Sequence, residues 1–305
     1  MSETNMSQNE NQRTKVVLGT ATPGGGFPLY GGVAAEAIMQ ADPSLEIETR
    51  NTKGSTENVP LLEAGELDLG LVQGEVAHEA IAGIGRAPAK LYIIAAMYST
   101  AGMFVVRADG GVRNIADLKG KPVAFGARGS GLVILSRYVL DGLGLDQDRD
   151  FEAVYLDRAG DGPAMVLDGR VAALWGGGVG WPGFTAVASG PAGARFITPD
   201  AGEAVRILQK HAFLKALTVA PGAYPGQNAP IASVGSWSFI MARPTLPDDL
   251  AYRLARALHQ AEPGLPAKLE QARETTAANT LAAAPRVNLI HPGVRKYLRE
   301  IGLAA

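Results

Sequence analysis

The sequence predicts an α/β fold in which short buried strands alternate with helices around a mostly parallel sheet. Three observations carry that expectation. Short apolar runs recur along the chain, separated by segments with helical periodicity. Glycine-rich or polar turns stand where those runs end. The composition, 47% hydrophobic and 19% charged over 305 residues, provides a large core and enough chain for two domains.

Residues 16–18, Val-Val-Leu, read as a buried strand. Three glycines follow at 24–26, and residues 33–39 read as an Ala-rich helix. Glycines let a ligand approach main-chain N–H groups, and a helix start adds partial positive charge. The stretch lacks the GxGxxG and GxxxxGK[ST] spacings, so on spacing alone it reads equally well as a tight turn. Residues 45–50 alternate like a half-buried strand. Ser55 is placed to cap a helix running to residue 64, with Glu57 in its first turn. Residues 67–72 form the next strand. Gln73 falls at that strand's C-terminal end, where open α/β sheets hold ligand groups. A helix over 76–81 follows, then a strand over 91–97 ending at Tyr98.

Several motifs recur here in order and in register. They are GTATPGGGFPLYGG, TKGSTEN, and LLEAGELDLGLVQGEVAHEA, followed by AFGARGSG at 124–131, PGAYPGQ at 221–227, and the run from His291-Pro292-Gly293 to Glu300. Together they resemble the solute-binding components of TRAP transporters of the TAXI family, over roughly residues 15–302. The resemblance implies a two-lobed type II periplasmic-binding-protein fold with a ligand cleft between the lobes. Residues 14–102 and 242–305 would form the first lobe and 103–241 the second, with crossings near Gly102 and Met241. Residues 1–13 read as a disordered tail.

In the second part of the chain, Ser130 caps a long helix ended by Gly142 and Gly144. Strands are expected at 122–125, 151–156, 171–175, 195–197, 214–219 and 234–242. Helices are expected near 163–167, 202–210, 249–259 and 292–301. A second glycine-rich loop, residues 176–182, follows the strand that ends at Trp175.

For catalysis the sequence offers little. There is no cysteine, so thiol chemistry, disulfides and thiolate metal sites are excluded. The four histidines show no metal spacing, and there is no GxSxG elbow. Ser130 is better explained as a helix cap than as a nucleophile. A net charge of -2 gives no case for nucleic acid. No run is long and apolar enough to span a membrane. The polar start MSETNMSQNENQRTK shows no signal peptide, which leaves a cytosolic location and a missing leader both open.

For binding, the strand ends carry small or polar residues that in a bilobal fold would face one cleft. The candidate wall comprises Gly25, Gly26, Phe27, Lys53, Ser55, Asn58, Gln73 and Tyr98 from the first lobe. From the second it comprises Arg128, Gly129, Ser130, Gly131, Trp175, Gly178 and Trp181. An ordinary βα turn is the competing account of each loop. Lys53 and Arg128 favour an anionic ligand, although both could as well point to solvent. Gly26, Phe27 and Lys53 depart from the Thr, Tyr and Gly usual at those places in the family. The resemblance implies a non-enzymatic periplasmic protein that delivers a small organic anion or acidic amino acid, of glutamate, 2-oxoacid or dicarboxylate type, to TRAP membrane subunits. No cofactor or metal is expected. A soluble sensor or scavenger of the same fold, or an enzyme on that scaffold, are the rival expectations.

Overall fold

The computed structural model describes residues 13–303. The expected disordered tail therefore lies, apart from Arg13, outside the described residues. Strands and helices alternate as the sequence predicts, and the strands join one continuous ten-stranded sheet with a change of partners half-way.

The first half-sheet has the order β2-β1-β3-β10-β4. Its parallel members are β1 (Thr14–Gly19), β2 (Leu45–Arg50) and β3 (Leu69–Gln73). β3 reads LGLVQ and is buried at every position, as expected of an interior strand covered on both faces. β2 is an edge strand with an alternating start, Leu45 and Ile47 inward and Glu46 outward. One face is covered by α1 (Gly26–Ala41), α8 (Asp248–Ala261) and α11 (Pro292–Glu300). α8 starts on two aspartates, which suit a helix N-terminus, and buries Leu250, Leu254 and Leu258 at spacing four. The other face is covered by α2 (Ser55–Glu63) and α3 (Gly74–Ala82).

The second half-sheet is built on β5 (Pro122–Ala127), β6 (Glu152–Leu156) and β7 (Ala173–Gly177), all parallel. β8 (Ala194–Ile197) adds an antiparallel edge. α4 (Gly131–Gly142) and α7 (Ala201–Lys210) pack on one face, and α5 (Gly162–Leu167) and α6 (Pro182–Ala188) on the other. α7 begins with a reciprocal capping box between Asp200 and Glu203.

Two long strands run through both halves. Sequence reading separates a strand over 91–97 from another beginning at Met103. They are one strand, β4 (Tyr92–Arg107), with no break at Ser99 to Gly102. β10 (Ile231–Ala242) pairs with β9 (Lys215–Val219) through Gly235 and with β3 from Ser238 onward. The change of partner thus falls at Ser236 and Trp237, earlier than the crossing expected near Met241, which lies opposite Gly70. A sequence-based reading misses this because no turn or exposed break marks the change, and β10 stays largely buried across it. β4 and β10 pair antiparallel along this neck, with a shift in register between Trp237 and Phe239. Gly235 is needed there, since a Cβ on it would lie 1.8 Å from the Thr100 carbonyl oxygen.

Candidate ligand-binding site

The ends of β1, β3, β5 and β7 point to the seam between the two halves, and a cavity of about 50 Å³ lies there. From the first half it is lined by Thr22, Gly25, Gly26, Phe27, Lys53, Ser55 and Gln73, with Tyr98 and Thr100 from the neck. From the second half come Ala127, Ser130, Gly131, Leu132, Ala159, Gly177 and Trp181. Gln271, from a short turn of 3₁₀ helix after α9 (Leu265–Lys268), closes one side.

Local sequence explains the geometry. α1 begins directly after Gly25 and has no side-chain cap, so its first N–H groups remain available. A Cβ on Gly26 would stand 3.4 Å from Tyr98 Oη and 3.8 Å from Trp181 Cδ1, so the bare glycine keeps this side of the cavity open. α2 is capped by Gly54, not by Ser55 as the sequence suggests. Ser55 is already inside the helix, and its Oγ instead accepts a hydrogen bond of 3.1 Å from the Gln73 N–H. Its own O–H stays free to donate elsewhere. Ser130 does cap α4, accepting from the Leu132 N–H at 3.2 Å.

The two halves meet closely. A Cβ on Gly131 would fall 2.9 Å from Gln73 Oε1 and 3.0 Å from Ser55 Oγ. Gln73 is only 3% exposed, and its Nε2 has no hydrogen-bond partner. A buried amide donor left without a partner costs about 1–3 kcal/mol, and one that lines a cavity is a natural ligand contact. Tyr98 is 5% exposed and packs edge-on against Tyr30 at 5.4 Å. Burial holds its phenol well above the ordinary value, so it remains a neutral O–H donor.

Several expected wall residues lie elsewhere. Asn58 is fully buried beneath the cavity, donating from Nδ2 to the carbonyls of Thr20 and Leu71, both at 2.8 Å. Arg128 is exposed, its guanidinium 5.2 Å from the centre of the Tyr155 ring. Trp175 is in the core against Phe104, with its indole N–H on the Leu132 carbonyl at 2.8 Å. The Gly178 carbonyl accepts from the Tyr224 hydroxyl. Gly129 faces the seam but packs on the Lys53 backbone. Trp175 is turned inward by the phase of β7, whereas Gly178 stands behind the wall, where a Cβ would fall 2.9 Å from Gln271 Nε2. Thr22, Thr100 and Gln271 were missed. Thr100 follows Tyr98 at strand period and could have been found that way. Gln271 had no sequence signal.

The histidines are engaged away from the cavity. His78 stacks on Phe213 at 4.1 Å, and His211 bonds Asp141 at 2.7 Å. His259 bonds the Tyr297 hydroxyl at 2.7 Å, and His291 caps α11. Among the described residues no group of three His, Asp or Glu side chains is arranged to hold a metal. No helix among them is long and apolar enough to cross a membrane.

The profile of the NMT1-like family matches residues 18–302. The chain belongs to the NMT1-like family. Solved structures share the fold of this NMT1-like chain. One from Bordetella bronchiseptica RB50 aligns with a TM-score of 0.61 at 14% identity, covering 95% of this chain and 98% of that one. A structure described as a periplasmic transporter gives 0.59 at 15% identity, covering 97% and 99%. SsuA, the periplasmic aliphatic sulphonate binding protein of Escherichia coli, gives 0.51 at 19% identity, covering 94% and 84%. The fold is therefore the two-lobed α/β fold of periplasmic binding proteins, as the sequence motifs imply.

Proposed function

We propose that this chain is a non-enzymatic solute-binding protein. It captures a small organic anion between its two lobes and delivers it to a membrane permease. The observation that carries the reading is the interlobe cavity, lined by Gln73, whose buried Nε2 has no partner, and by the start of α4 from the opposite lobe. Helix starts and neutral N–H or O–H donors suit a negative group, and Phe27, Tyr98 and Trp181 supply apolar walls. Binding closes the lobes, and the bends that allow this lie in β4 and β10 at the neck. The family's membership and the periplasmic relatives of the same fold support a place outside the cytoplasmic membrane. The motif resemblance to TAXI proteins supports a TRAP-type permease as the partner.

Native mass spectrometry of freshly purified protein tests this. It is expected to reveal a retained small acid that leaves on partial unfolding and restores a raised melting temperature when added back. In Ser130→Leu that thermal shift is expected to vanish. A chain that retains no molecule, shows no shift with any organic acid, or turns over what it binds, contradicts the reading.

A further inference from the structure

We propose that the cavity selects a small monoanion: one carboxylate on an apolar or hydroxylated tail, with neither an ammonium group nor a second carboxylate. The inference rests on the solute-binding reading above and narrows it by charge.

Among the described residues that line the cavity there is no Asp or Glu. A bound ammonium would lose its hydration without a counter-charge, which is unfavourable in a closed site. The nearest buried acid does not supply one. Glu75, in the first turn of α3, accepts a hydrogen bond at one carboxyl oxygen from the Ser236 hydroxyl and lies outside the cavity lining. Desolvation pushes its carboxyl up to about 8, so it is largely uncharged at neutral pH.

On the positive side the lining holds one cationic side chain, Lys53, exposed at the mouth. Arg128, the other cation that the sequence offers, is turned away over Tyr155. The remaining attraction comes from neutral donors, chief among them the fully buried Gln73 Nε2, and from the starts of the 16-residue α1 and the 12-residue α4. That is enough to match one carboxylate. A second would have to lie against the aromatic side formed by Phe27, Tyr98 and Trp181, with no cation to meet it. Size argues the same way. A cavity of about 50 Å³ is a few water volumes and far below the ~300–1,000 Å³ of sites for drug-sized ligands.

The test uses pairs of probes that differ by one charge. Protein freed of bound solute by unfolding and refolding is titrated calorimetrically with L-lactate and L-alanine, and with butyrate and succinate. L-Lactate should bind at least roughly tenfold more tightly than L-alanine, and butyrate at least roughly tenfold more tightly than succinate. Equal or tighter binding of L-alanine or succinate overturns the monoanion proposal and leaves the solute-binding reading standing. Binding of none of the four overturns it as well, and the mass of the natively retained molecule then decides the parent reading separately. Two variants locate the charge. Gln73→Met removes the interior donor at similar length and should abolish L-lactate binding while the melting temperature of the empty protein is kept. Lys53→Gln should weaken L-lactate by a few-fold and reduce its salt dependence. L-Lactate binding that survives Gln73→Met unchanged overturns the placement of the carboxylate.

Discussion

The Gly129 carbonyl in one lobe accepts two hydrogen bonds from Thr56 in the other, from the N–H at 3.2 Å and from Oγ1 at 3.0 Å. The contact joins the two lobes and occupies the second N–H of α2, which is therefore not available to a ligand. Gly54 makes the approach feasible. Its φ is +116°, and a Cβ there would lie 2.8 Å from the same carbonyl oxygen. The lobes are thus held together partly by a backbone group that belongs to neither ligand nor core.

Thr56→Val tests that latch. The substitution keeps shape and removes one hydrogen bond, worth about 1 kcal/mol. Ligand dissociation should quicken roughly fivefold in stopped-flow measurements, while the melting temperature of the empty protein stays put. An unchanged off-rate would mean that the contact contributes nothing to closure.

Asn58 gives a contrasting case, because its motif marks it as a wall residue while its bonds mark it as a strut. Its Nδ2 ties the end of β1 to β3 through the Thr20 and Leu71 carbonyls. Asn58→Ala removes a buried donor from both carbonyls, leaving that of Thr20 to the Thr52 hydroxyl at 3.1 Å, and should cost about 1–3 kcal/mol in urea unfolding. The fraction that still folds should bind ligand with nearly native affinity. Loss of affinity without loss of stability would return Asn58 to the ligand wall.

The pH profile should carry the mark of Glu75. Burial raises its carboxyl to about 8, against an ordinary value of 4.5. Between those values the folded chain holds a proton that the unfolded chain has released. Its contribution is therefore complete below about 4.5 and is lost as pH rises through about 8. Denaturation midpoints should fall between pH 5 and 9, and Glu75→Gln should flatten that decline. Asp42 acts on the other limb. Its hydrogen bonds from Arg253 hold its carboxyl down to about 2, so its contribution is present above 3.8 and is lost as pH falls towards 2.

The fold was legible because its signals are local and repeated. β3 announces itself as an apolar run, α8 by leucines at spacing four, and α4 by its serine cap. The neck was not. Ser99 to Gly102 contains residues that interrupt an apolar pattern, and only pairing with β10 shows that the strand continues. Within the site, Gln73, Ser130 and Tyr98 were visible as strand or helix ends, which topology alone brings to the seam. Trp175 and Trp181 look alike in sequence. The first is turned into the core by the phase of β7, whereas the second precedes α6 and reaches the cavity. Gln271 comes from a part of the chain whose place is set wholly by tertiary packing.

The bare backbone at Gly26 yields the last prediction. In the resembling family a hydroxylated side chain is usual there, and here its place is left as open space between Tyr98 and Trp181. The residue is the first of α1, in a backbone conformation that a side chain can adopt. Gly26→Val should therefore fold with an unchanged or slightly raised melting temperature, since a helix gains when glycine is replaced. Its added methyls would occupy much of a cavity of about 50 Å³, and affinity for the retained ligand should fall at least roughly tenfold. Calorimetric titration of both proteins decides it. Undiminished binding by Gly26→Val would place the ligand on the Gln271 side of the cleft, away from α1.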